Sequence, residues 1–356
     1  MPNGQLNAPQ LVAFYLPQFY PIAENDAAWG KGFTEWTHVA GARPLFPGHY
    51  QPHIPADLGF YDLRLPETRL AQATLARRYG ISAFCYYHYW MGGRRLLERP
   101  FDEVLESGEP DFPFCLCWAN DSWTGVWYGK PNSRIVEQTY PGADDHLRHM
   151  DWLATAFHDG RYLRIGGKPL FMVFKPQSIP CLPKTLHQWR ERAELNGLPG
   201  LHLVAVRFYN DPWDSVAAGF DASVTFRVPP VPAEFDRAID RSMPWVVHHE
   251  AVKDLLVGPG RLGQLDYPCV GPNWDNTPRC GTRGIVLHDS RPEHFAHSLQ
   301  QAKGRLELLP AEHQLCFIKS WNEWAEGNHL EPDRRFGTTW LEAVRSVFPI
   351  AGHSVS

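Results

Sequence analysis

A single (β/α)8 barrel, an α/β TIM-type fold, is what this sequence predicts, on three observations. Eight short apolar runs are spaced along the 356 residues, most of them followed by a segment of helical character, and such alternation builds a parallel sheet. The runs end in polar and aromatic residues that a closed barrel gathers at one mouth and an open doubly wound sheet scatters along an edge. No Gly-rich phosphate loop interrupts them, since Gly92-Gly93 and Gly166-Gly167 lack its spacing and context. The expected organisation is a disordered tail over 1–10, one catalytic domain over 11–348 and a C-terminal tail over 349–356.

The first strand is expected over 11–16, ending at Pro17-Gln18. The connection that follows, 20–60, is too long for a plain loop; Trp29, Phe33, Trp36, Phe46 and Phe60 predict that it packs over the mouth. Pro66 opens a helix that carries Arg77-Arg78 in its last turn and stops at Gly80. Strands are expected next over 81–90, 114–118 and 169–174, with helices over 99–107 and 144–158 between them. A helix over 182–196 halts at Gly197, and strands follow over 202–206 and 222–226. The proline-rich 228–232 leads to a partly helical 248–256 and a weak seventh strand over 267–270. A helix over 292–306, an eighth strand over 315–320 and a helix over 337–348 complete the series.

Chemistry concentrates just after the eighth strand, in Trp321-Asn322-Glu323-Trp324-Ala325-Glu326-Gly327. Indoles offer flat apolar faces to sugar rings or bases and lower the local dielectric, so a carboxyl beside them takes up a proton more readily. Glu323 and Glu326 fall on opposite faces if the strand continues; they share a cleft only if the chain turns after Trp324, which Gly327 permits. The bland alternative is a strand end with solvated acids and two core tryptophans. If Glu323 faces inward, so does Lys319, and a buried ammonium demands a carboxylate partner that the sequence does not identify.

The other strand ends supply the remaining candidates for substrate binding: Tyr15, Gln18, Tyr87, His88, Trp90, Trp118, Asn120, Asp121, Trp123, Trp274, Asp275 and Asn322. Glu35 and Trp36 join them from the long loop. His88 is equally readable as a hydrogen-bonded core histidine. Asp121 and Asp275 are equally readable as partners of Lys175, Arg207 or Arg227.

Composition narrows the classes. Net charge is −5 with mixed signs and no basic cluster, against a nucleic-acid partner. Seven cysteines, several inside apolar strands, suit buried thiols in a reducing compartment better than disulfides. No apolar run approaches the roughly 18 residues of a membrane span and no signal layout opens the chain, so the expected location is the cytoplasm. His248-His249-Glu250 is not a ligand set, because neighbours on a helix diverge. No metal and no cofactor is expected, and oligomeric state has no signature.

Several long motifs carry a resemblance. They are Tyr15-Leu16-Pro17-Gln18-Phe19, Gly32-Phe33-Thr34-Glu35-Trp36, Phe46 to Pro52, Phe84 to Trp90, Cys117 to Asn120, Trp274 to Arg279 and Trp321 to Gly327. Together they resemble the WbsX-type group, glycoside hydrolase family 99-like proteins of polysaccharide loci, over about residues 11 to 347. The resemblance implies a (β/α)8 fold and a retaining hydrolase of α-linked, mannose-type residues in a bacterial surface polysaccharide or its precursor. It implies that Glu323 assists the sugar 2-hydroxyl and that Glu326 is the acid and then the base. The alternatives are a glycosyltransferase of O-antigen synthesis and a non-catalytic glycan-binding protein. After Asn120 the chain departs from the group pattern, with Asp121 to Gly129 lacking two arginines and an acid, which bears on specificity.

Overall fold

In the computed structural model of the protein, residues 9–125, 134–209, 211–231, 242–261 and 263–350 are described. Seven continuous parallel strands form most of a barrel: β1 (Gln10–Tyr15), β2 (Ala83–Trp90), β3 (Phe114–Trp118), β4 (Lys168–Val173), β5 (His202–Phe208), β6 (Ala222–Phe226) and, last in the chain, β8 (Leu315–Ile318). Strand β7 lies between β6 and β8 as two pieces, Asp266–Tyr267 and Cys269–Val270. Pro268 separates them because it has no N–H for a ladder. The first piece pairs with β6, the second with β8, and β8 pairs with β1, so the ring closes through the broken strand.

Alternation along each strand sorts residues into an inside and an outside. Phe14 sits inside, its ring 5.5 Å from Tyr87, 5.0 Å from Phe226 and 5.7 Å from Phe317. Strand neighbours of these residues face the helices that wrap the barrel, among them Pro66–Arg78, Ala143–Phe157, Leu182–Leu195, Pro292–Leu306 and Thr339–Val347. All seven cysteines are free and six are buried, and five of those six, Cys85, Cys115, Cys117, Cys269 and Cys316, lie on barrel strands. Among the described residues no helix is long and apolar enough to cross a membrane.

Three features differ from the sequence reading. Gln10, assigned to the tail, already pairs with Leu315. The long loop contains two helices, Ala23–Trp29 and Glu35–Gly41, the second opened by a capping box between Thr34 and Thr37. A small parallel sheet of Trp245–His248 and Ile285–His288 stands outside the barrel; each strand is stabilised by a partner distant in the chain, which no local pattern announces.

Candidate active site

The two acids reach one cleft because the chain leaves strand geometry where Gly327 allows it. Asn322–Glu323 pairs antiparallel with Asn328–His329, and a 3-10 turn over Trp324–Glu326 joins them. Gly327 closes the turn at φ +60°, and a Cβ there would stand 3.0 Å from that of Asp275, so a side chain is excluded twice over. The hairpin is tied to β1 by Asn322, which accepts from the Leu16 N–H at 2.7 Å and donates to its carbonyl at 3.0 Å. Ser320 Oγ accepts from the Glu323 N–H at 2.9 Å and donates to the Asn328 carbonyl at 3.0 Å.

Two cations meet the pair. Lys319 Nζ lies 3.2 Å from Glu326 Oε2 and 3.5 Å from Glu323 Oε1, which supplies the partner its inward position demanded. Arg279 Nη1 is 2.7 Å from Glu326 Oε1 and 3.9 Å from Glu323 Oε2. Its guanidinium also binds the fully buried Glu35, with Nε 2.9 Å from Oε1. Burial and the neighbouring Glu326 push the Glu323 carboxyl up to about 8. Burial works the same way on Glu326, but Lys319 and Arg279 outweigh it and hold that carboxyl well below the usual range. Burial opposes the charge on Lys319 too, yet the two acids keep it protonated. The coupled pair therefore favours its proton on Glu323 and its charge on Glu326, which the two cations approach more closely. This is the reverse of the resting arrangement implied by the resemblance.

A cavity of about 230 Å³ opens over this pair, with Tyr87, Tyr89, Trp29, Trp123 and Phe174 among its walls and Lys319 and Arg279 also lining it. Of the residues proposed from sequence, Gln18, Tyr87, Asp121, Trp123, Glu323 and Glu326 line it. Asp121 forms a 2.6 Å ion pair with Lys175 at the rim.

The remaining candidates do not line this cavity. Tyr15 donates to Gln72 at 2.6 Å beneath a helix, because Phe14 takes the inward position on β1. On β2 the inward pair is Tyr87 and Tyr89, so His88 and Trp90 point away. His88 Nε2 is 2.9 Å from His149 Nε2 and its ring stacks on Trp152, while Trp90 donates to Asp145 at 3.1 Å. Trp118 donates to the Trp90 carbonyl at 3.1 Å. Asn120 joins the ends of β3 and β4, accepting from the Lys175 N–H at 2.7 Å and donating to its carbonyl at 2.8 Å. Glu35 is the anchor of Arg279, and Trp36 donates to the Tyr61 carbonyl at 2.8 Å. Asn322 holds the hairpin. Asp275 accepts from Thr277 Oγ1 at 2.6 Å and from Gln51 at 2.7 Å, with His49 at 2.7 Å, and so fixes the short helix Thr277–Cys280 that carries Arg279. Trp274 packs behind Lys319, its ring 5.2 Å from Nζ. Positions 126–129 of the departing loop, and Asn210 after β5, lie outside the described residues.

Sequence reasoning missed Tyr89, Phe174 and Arg279, and placed Trp29 only in the loop expected over the mouth. Tyr89 was reachable by strict alternation from Tyr87. Arg279 had no local signal, since Glu35 is 244 positions away. The structure also gathers His53, His329 and Asp333, whose potential ligand atoms lie within 4.8 Å of one another. His329 Nδ1 is 2.9 Å from the Glu331 carbonyl, which makes it the donor there and leaves Nε2 to accept from His53 Nδ1 at 2.8 Å. That separation is an N···N hydrogen bond between the two imidazoles. His248, His249 and Glu250 do not converge either: His249 bonds Ser290 at 2.8 Å, and Glu250 pairs with Lys253.

A parallel (β/α)8 barrel with an acidic pair at the carboxyl ends of its strands is the class that fold and site define. A solved structure described as a glycoside hydrolase-like protein matches with a TM-score of 0.60 at 15% identity, over 99% of this chain and 97% of the other. The GH99 endo-alpha-mannosidase from Bacteroides thetaiotaomicron matches with a TM-score of 0.55 at 15% identity, over 95% of this chain and 98% of that one. At such identity the likeness is one of fold. The chain belongs to the family described as Glycosyltransferase WbsX, whose model matches residues 11–344. Proteins named Uncharacterized protein WxcX, from Xanthomonas campestris pv. campestris strains B100 and ATCC 33913, are 43% identical over 342 residues, 94% of this chain and 49% of theirs. The chain spans about half the length of those relatives.

Proposed function

We propose that the protein is a glycan-processing enzyme and, more finely, a retaining glycoside hydrolase of α-linked, mannose-type residues in a bacterial surface polysaccharide or its precursor. The observation that carries this reading is the carboxyl pair in an aromatic-walled cavity at the barrel mouth, met there by Lys319 and Arg279. Glycosidic cleavage needs a group that receives a proton and another that gives one.

In the proposed cycle the proton first passes from Glu323 to Glu326, the two carboxyls being hydrogen-bonded. Lys319 and Arg279, already within 4 Å of Glu323, stabilise the charge that moves there. Ionised Glu323 then takes the proton of the sugar 2-hydroxyl as that oxygen attacks the anomeric carbon. The bond to the leaving oxygen breaks, and Glu326 protonates it. Water opens the resulting 1,2-anhydro sugar at the anomeric carbon, giving its proton to Glu326, while Glu323 returns its own to the 2-oxygen.

Transfer to a second sugar is the other reading, favoured by the family's description; an acceptor hydroxyl would then replace the water. The test is incubation of the full chain with a panel of α-linked glycans, including the organism's own polysaccharide, with products identified by mass spectrometry. Reducing-end products with retained configuration support hydrolysis, and longer chains support transfer. Dependence on a nucleotide-sugar donor would overturn the hydrolase reading.

A further inference from the structure

We propose that a small second pocket, which shares Lys319 with the active-site cavity, is an anion site sized for a single halide ion.

The pocket lies where the ends of β6, β7 and β8 meet the hairpin that carries the acids, and its volume is about 20 Å³. That is room for one water-sized particle. Arg227, just past β6, and Lys319, just past β8, both line it, and among the described residues no carboxylate does. Cys269 is the other titratable group on its wall; burial pushes that thiol up, so it stays neutral. Among the described residues, Lys319 is the one that lines both cavities.

Four side chains on the wall each carry a buried polar atom with no hydrogen-bond partner among the described residues. They are Arg227 Nε, Asn273 Oδ1, Trp274 Nε1 and Asn328 Oδ1. Trp274 is 8% exposed and Asn328 1%, too little for bulk water to serve them. Unpaired buried polar atoms are costly, and a group of them around one pocket marks a bound particle.

Charge decides which particle. The Arg227 guanidinium is half-buried, and burial works against its charge. Asp266, an acid that favours that charge, already binds Arg305 at 3.0 Å. The guanidinium is nonetheless fixed in place: its carbon is 4.6 Å from the Tyr209 ring centre, and a Cβ at Gly258 would collide with it. Arg227 Nε and Trp274 Nε1 can only donate. Neither asparagine oxygen is held, so each amide is free to turn its NH2 inward. Two cations and a set of donors suit a particle that is negative and only accepts. A halide is such a particle and water is not. Sulfate and other anions of several atoms exceed the volume. Because Lys319 also binds Glu326 at 3.2 Å, an ion in the pocket acts on the acid pair through it.

The experiment exchanges sodium gluconate for sodium chloride at constant ionic strength, which holds screening fixed. The full chain is followed by Tm and by chlorine NMR line width. The wild type should show a saturable rise in Tm of about 2 °C and a broadened chloride line. Arg227→Gln should abolish both. Trp274→Phe keeps an aromatic ring behind Lys319 but removes one donor, and should raise the half-saturating chloride concentration about 10-fold, the size of a hydrogen bond to a charged group. If Arg227→Gln fails to fold, Trp274→Phe decides alone. No chloride-specific change in the wild type would leave the pocket to water and overturn the proposal. A chloride response unaltered in Trp274→Phe would overturn this location. Sulfate or acetate acting as strongly as chloride would overturn a site sized for one ion. No glycan enters the test, so its failure is separate from that of the hydrolase reading.

Discussion

Two kinds of enclosed glutamate, one opening on the cavity and one sealed from it, stand within nine positions of each other. Glu323 and Glu326 open on the cavity and meet Lys319 and Arg279. Glu331, fully enclosed, accepts from Gln72 at 2.6 Å, Trp324 at 2.7 Å and the Tyr61 hydroxyl at 2.8 Å. Those three donors are neutral. Burial lifts the Glu331 carboxyl to about 7 although each donor favours its charge. The first kind divides one proton between two acids, an arrangement useful for chemistry. The second kind joins Trp324, between the two acids, to the long loop and to the first long helix. One residue type serves both purposes, and access to the cavity together with the sign of its neighbours separates them.

Removal of the cavity acids should separate the two kinds of glutamate most strongly. Glu326→Ala should lower kcat/KM by on the order of 10²–10⁴-fold on a natural glycan, the usual size of general acid catalysis. It should lose far less on an aryl or fluoride substrate whose leaving group needs no proton. Glu323→Gln should be impaired on both, and a 2-deoxy sugar should not react at all. Equal losses for Glu326→Ala on both substrates would refute the assigned roles.

Next in size is Arg279→Met, expected to cost about 10²-fold at neutral pH, as misplacement of a catalytic group does. In the wild type, activity should fall as pH rises through about 8, where the pair's last proton leaves Glu323. Loss of a cation favours the protonated forms, so both limbs of the pH profile should move to higher pH in the variant. A profile that stays put would separate Arg279 from the pair.

Glu331→Gln tests the other kind of acid. It retains an acceptor for Trp324 and Tyr61 but turns an amide N–H toward Gln72, a mismatch worth about 1–3 kcal/mol. In the folded chain Glu331 is raised from 4.5 to about 7. Its contribution to stability is thus fully present below about 4.5 and is lost as pH rises through about 7. The variant should be less stable than the wild type in acid, and the gap in Tm should narrow between pH 5 and 8. A gap that widens over that range would mean Glu331 has an unrecognised cation.

The smallest effect on activity belongs to His88→Leu, behind the barrel wall. It should cost about 1–3 kcal/mol of stability through the lost bond to His149 and leave kcat/KM within a few-fold. A large kinetic loss at unchanged stability would return His88 to the site.

Much of this was legible before any coordinates. Eight apolar runs, their order and most helix limits followed from local rules: Pro66 and Pro292 at helix starts, Gly80 and Gly197 after helix ends. The acidic pair was visible too, as was the condition that Gly327 turn the chain between strands. Alternation specified that Tyr87 and Tyr89 share a face and that His88 and Trp90 share the other. Which face looks inward was decided by closure of the barrel, where Phe14, Phe226 and Phe317 pack against Tyr87. Tertiary structure alone also decided that Glu35 is an anchor, that Asp275 fixes the helix bearing Arg279, and that Lys319 finds two carboxylates. Local propensity reaches only a few residues along the chain, whereas a buried charge is satisfied by whatever opposite charge the fold brings within about 4 Å. For Arg279 that partner, Glu35, is 244 residues away.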